Sequence, residues 1–123
     1  MKILVIGSGA REHAIAWKLS RERDVTEIVC APGNPGIAAI ARCIPADVTK
    51  PSDLLAIARR AAIDLTVVGP EVPLSLGVVD LFLENDLAIV GPTRAAAALE
   101  SSKSFAKDFM ARHSVPTADV HTR

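Results

Sequence analysis

Ile3-Leu4-Val5-Ile6-Gly7-Ser8-Gly9-Ala10-Arg11-Glu12-His13-Ala14 joins an apolar run, a glycine turn and the first residues of a helical pattern. Four consecutive aliphatic side chains without alternation suit a strand covered on both faces. The glycines after it let the backbone pass close to a ligand. The helix that follows offers unpaired N–H groups and the positive end of its dipole to an anion such as phosphate. A dinucleotide-binding turn wants a third glycine where this chain has Glu12.

The same alternation continues outward from this unit. Strand-like runs fall at Ile3 to Ile6, Glu27 to Cys30, Leu65 to Val68 and Leu87 to Val90, with a shorter one at Arg42 to Ile44. Between them lie helical patterns. Ala14 with Trp17 and Ile15 with Leu19 form an apolar face opposite Lys18, Arg21 and Arg23. Pro51 suits a first helical turn, Asp53 favours its dipole, and Leu54, Ala58 and Ala61 mark its buried side. A third helix is read from Val78, Val79, Phe82 and Leu83. Apolar strands separated by helices predict an α/β fold: a doubly wound, mostly parallel Rossmann-like sheet with helices on both faces. Beyond Val90 the stretch Arg94 to Glu100 and the stretch Ser101 to Met110 read as two short helices, and Val115 to Ala118 as the entry to an extended segment.

In a parallel sheet every strand ends along one edge, and ligands bind in the crevice there. Four loops fall at that edge: Gly7 to His13, Ala31 to Gly36, Gly69 to Pro73 and Gly91 to Thr93. Each alone can be turn punctuation; together they predict a site. Its candidates are Gly7, Gly9, Arg11, Glu12, His13, Pro32, Gly33, Asn34, Gly69 and Glu71. Arg11 and His13 sit unfavourably at the positive end of a helix unless an anion is bound. Glu71, read as part of a rigid turn between Pro70 and Pro73, can accept bonds from sugar hydroxyls; a solvated loop glutamate is the alternative.

Composition excludes several functions. Lys plus Arg and Asp plus Glu both number 14, so there is no basic field to hold nucleic acid or an anionic membrane. Three Phe, one Trp and no Tyr leave few platforms for stacking bases. The apolar runs are shorter than the roughly 20 residues needed to span a bilayer. Cys30 and Cys43 form no CxxC motif, no secretory leader precedes the first strand, and a cytoplasmic location is expected. A nicotinamide dinucleotide site is disfavoured by Glu12 and by the lack of an acid at the end of the second strand, where Cys30 and Ala31 stand. No metal-ligand set, Walker lysine or nucleophile-base pair is recognisable, so no catalytic or metal residue is assigned.

The loops together, Gly7 to Ala14, Pro32 to Gly36, Gly69 to Leu74 with Gly77 and Val79-Asp80, and Ser102 to Lys107, resemble the phosphoribosylamine-glycine ligase (glycinamide ribonucleotide synthetase) family. The resemblance implies the N-terminal portion of an ATP-grasp ligase of purine biosynthesis, with residues 1–100 a Rossmann-like substrate domain and 101–123 a linker helix and the start of the ATP-grasp domain. It implies the small-molecule substrates glycine, 5-phosphoribosylamine and ATP, with Mg or Mn, the nucleotide and metal bound mainly by residues beyond this chain. Lys103 and Lys107 are the cofactor-binding candidates within it, a solvated helical face being the other explanation of two lysines at that spacing. The family usually has glycine at position 10; Ala10 fits if the backbone there is helical and is strained if φ is positive. A stand-alone Rossmann-like binding module without catalysis is the competing reading.

Overall fold

In a computed structural model, which describes residues 1–91, β1 (Lys2–Gly7) is the centre of a five-stranded sheet. The other strands are β2 (Glu27–Pro32), β3 (Arg42–Cys43), β4 (Leu65–Val68) and β5 (Ala88–Val90), in the order β3-β2-β1-β4-β5. Every described pairing is parallel, as continuous apolar strands joined by helices require. The order reverses at β1, which places a switch point between β1 and β4. In register, Gly7 lies beside Pro32, Ile6 beside Val68 and Val67 beside Val90, so the strand ends form one edge.

Helices α1 (Ala10–Ser20), α2 (Pro51–Arg60), α3 (Glu71–Ser75) and α4 (Val78–Glu84) complete the described chain with a 3-10 turn at Ile37–Ala39. Alternate residues of β1 feed two cores. Ile3 and Val5 pack with Ile15 and Ala16 of α1 and with Ile37; Leu4 and Ile6 pack with Leu54 and Ala58 of α2 and Val78 and Phe82 of α4. The sheet is therefore covered on both faces, and the fold is α/β and doubly wound. No helix among the described residues is long and apolar enough to cross a membrane.

Several local expectations are corrected. The buried side of α1 is Glu12, Ile15 and Ala16, while Ala14 is exposed and Trp17 is 47% exposed. Trp17 instead lies under the Arg21 guanidinium, 5.0 Å from its ring centroid, where an amphipathic ring and a cation shield each other. The second strand runs on to Pro32, the third covers Arg42–Cys43, and the fifth starts at Ala88. Ala10 is the first residue of α1 and carries no positive φ, so it is accommodated. The two helices read beyond Val90 lie outside the described residues.

Candidate functional site at the strand ends

The β1–α1 turn is shaped by Glu12. Gly9 is the extended N-cap of α1, and the Glu12 carboxylate three residues on accepts its N–H at 2.7 Å. That is the half of a capping box open to glycine, which has no side chain to bond the third helical N–H in return. Glu12 is only 5% exposed. Its burial explains the glycines around it. A Cβ added at Gly7 would come within 2.6 Å of the Glu12 Cγ, and one at Gly9 within 3.1 Å of Oε1. A Cβ at Gly69 would collide with the same carboxylate.

Three loops are tied together across the edge. Arg11 reaches from α1 to the end of β4, donating through Nη2 to the Gly69 carbonyl at 2.7 Å, with Nε 3.6 Å from Glu12 Oε2. Asn34 donates to the Ser8 carbonyl at 2.7 Å and accepts the Ile37 N–H at 2.8 Å, so the loop after β2 is locked to the loop after β1. Gly33 donates its N–H to the Gly7 carbonyl at 3.0 Å. Gly33 has φ +75 and lies against the Cys43 side chain, so both its backbone and its surroundings demand glycine. His13 is half-buried and faces Gly36, where an added Cβ would be 2.9 Å from its Cε1.

Glu71 differs from its expected setting. It is not in an irregular turn but opens α3, with Pro70 as N-cap, and it is exposed at the same edge. The carboxylate suits the positive end of this short helix. Pro32 ends β2 with Ala31–Pro32 in the cis form. Of the fourth loop, Gly91 is described, whereas Pro92, Thr93, Lys103 and Lys107 lie outside the described residues.

Cys30, missed as part of the surroundings of the site, lies beneath it. Burial pushes its thiol up to about 12, with Cys43 and Glu12 adding to the effect. It stays protonated and inert. A cleft at the opposite edge of the sheet holds Thr26, Glu27 and Arg42, but there Arg42 is paired with Glu27 at 3.2 Å. At the strand-end crevice the first-turn amides of α1 lack intrahelical acceptors, and the Arg11 guanidinium, beside Glu12, retains N–H groups beyond the one spent on Gly69. Among the described residues no group of His, Cys, Asp and Glu is arranged to hold a metal ion.

A doubly wound sheet with its polar loops gathered at the switch-point edge defines a Rossmann-like α/β domain. Residues 1–100 match the family described as phosphoribosylglycinamide synthetase, N domain, and the chain belongs to that family. Relatives named phosphoribosylamine-glycine ligase are 58% identical in Xylella fastidiosa (strain Temecula1) and 59% identical in Xanthomonas campestris, over 99% of this chain in both cases. The chain spans 29% of the length of these relatives. The fold is also that of a solved structure titled glycinamide-RNase-transformylase T from Mycobacterium tuberculosis, with TM-score 0.61 and 17% identity over 80% of this chain and 31% of that one. Saccharopine dehydrogenase from Saccharomyces cerevisiae, with TM-score 0.56 and 20% identity, covers 73% of this chain and 21% of its own.

Proposed function

We propose that the protein to which this chain belongs is an ATP-dependent ligase that joins glycine to 5-phosphoribosylamine, giving glycinamide ribonucleotide, ADP and phosphate. The observation that carries this reading is the family match over residues 1–100, together with relatives of that name at 58% identity. In this reading residues 1–100 form the substrate domain and 101–123 lead into the ATP-grasp domain. The family resemblance assigns ATP with Mg or Mn mainly to residues beyond this chain, with Lys103 and Lys107 as candidates to approach the nucleotide.

The part played by this chain is positioning. The first-turn amides of α1 and the Arg11 guanidinium receive the phosphate of phosphoribosylamine, where helix dipole and cation act together. Glu71 accepts hydrogen bonds from the ribose hydroxyls. Pro32, Gly33 and Asn34 close the pocket on the other side, near His13, and Gly7, Gly9 and Gly69 keep the backbone open around it. Holding the amine in one orientation against an activated glycine carboxyl makes the joining step effectively intramolecular.

The test is calorimetry of the full-length protein with ribose 5-phosphate. Glu71→Ala and Arg11→Ala are each expected to weaken binding by about tenfold or more, as loss of a charge-assisted hydrogen bond does. Unchanged affinity in both variants removes the site assignment.

A further inference from the structure

The crevice between β1 and β4 already contains an anion supplied by the chain. Position 12 is where a dinucleotide-binding turn has its third glycine, present so that helix and strand approach closely. Here the Glu12 side chain folds into that space, with glycines 7, 9 and 69 leaving room for it. Its carboxylate takes the Gly9 N–H at 2.7 Å and faces Arg11 Nε at 3.6 Å, while Arg11 Nη2 donates to the Gly69 carbonyl at 2.7 Å. Polar contacts therefore run without a break from the β1 loop through Glu12 and Arg11 to the β4 loop.

We propose that Glu12 is a positioning residue: a buried brace that sets the separation of these two loops and aims the Arg11 guanidinium, without touching the substrate. The kinetic part of this proposal rests on the ligase reading above. A buried carboxylate with both its neighbours paired has one arrangement open to it, so it holds the loops rigidly. Glutamine keeps an acceptor for Gly9 but loses the charge that faces Arg11. Alanine loses both.

In the full-length protein Glu12→Gln is expected to raise the KM for phosphoribosylamine by about tenfold, since displacing a substrate-holding group by a fraction of an ångström has effects of that order. The KM values for ATP and glycine stay unchanged and kcat stays within about threefold. Combining it with Arg11→Ala is expected to do no more than the worse single change, because both break one brace. Unchanged kinetics, or a fall in kcat at constant KM as for a loss of folded enzyme, overturns the proposal. Amide hydrogen exchange decides it independently of turnover. Peptides covering 7–13 and 69–75 are both expected to exchange faster in Glu12→Gln, and acceleration confined to the first overturns the brace. A wild-type protein without ligase turnover sinks the proposed function and leaves the exchange result to judge Glu12.

Discussion

Ala62 carries φ 56 at the end of α2, in the left-handed region that burdens any side chain bearing a Cβ. The bonds around it are those of a Schellman ending: Ile63 N–H to the Ala58 carbonyl at 2.9 Å and Ala62 N–H to Arg59 at 3.2 Å. Asp86 fills the same place after α4 with φ 61, and aspartate tolerates it better. Ala62→Gly is therefore expected to stabilise the protein by about 0.5–1 kcal/mol, the relief of strain exceeding the added chain entropy of glycine. A melting temperature that falls contradicts this. Cys30 supplies a second test at this scale. Its thiol keeps its proton in the folded state to about 12 but loses it in the unfolded state near the ordinary value of 9.0. Above pH 9 the unfolded chain binds fewer protons, so this residue's stabilisation is intact below that pH and declines by about 1.4 kcal/mol per pH unit as pH rises toward 12. Denaturant titrations from pH 8 to 11 should show a steeper decline in wild type than in Cys30→Ala.

Helices α1 and α4 show how unequal two large apolar residues can be. Phe82 of α4 is fully buried in the cluster of Leu54 and Ile89, whereas Trp17 of α1 stands about half in solvent beneath Arg21. Phe82→Ala is expected to cost about 3–5 kcal/mol through lost contacts and the cavity left behind. Trp17→Ala should cost under about 1 kcal/mol, roughly the worth of an exposed cation–π pair. Urea midpoints measure both, and a Trp17 effect comparable to that of Phe82 would mean that α1 is seated differently. Helical spacing in the sequence pointed to an apolar face through Ala14 and Trp17 as well as Ile15 and Leu19, and only the second pair packs on the core. That spacing fits two adjacent stripes of α1, and contact with β1 and Ile37 keeps the stripe of Ile15 and Leu19, adds Ala16 and leaves out Ala14 and Trp17. For α2 the stripe was legible because Leu54 and Ala58 lie opposite Arg59, Arg60 and Asp53.

For the whole molecule, the 29% share of its relatives' length decides where function must be tested. Binding of ribose 5-phosphate and the Glu71 and Arg11 variants belong to full-length protein, since the proposed ligase needs more than this chain. The five strands, their parallel arrangement and the gathering of loops at one edge could be read from the chain, because runs without polar alternation, such as the aliphatic Ile3 to Ile6 and Leu65 to Val68 with Thr66 within it, suit a sheet covered by helices on both faces. The glycine turn and the family resemblance were legible for the same local reason: they depend on neighbours within a few positions. The roles inside the crevice were not. Glu12 was legible only as one of the substrate-site candidates of its loop, and its burial arises because Gly69, 57 positions along the sequence, is brought to it by the pairing of β4 with β1. Sequence by itself determined the layers, the parallel sheet and which loops share an edge, since hydrophobic periodicity and turn chemistry act locally. Tertiary structure alone decided that the glycines of two strand ends enclose the chain's own carboxylate and that Arg11 spans them, since those contacts exist only once distant strands lie side by side.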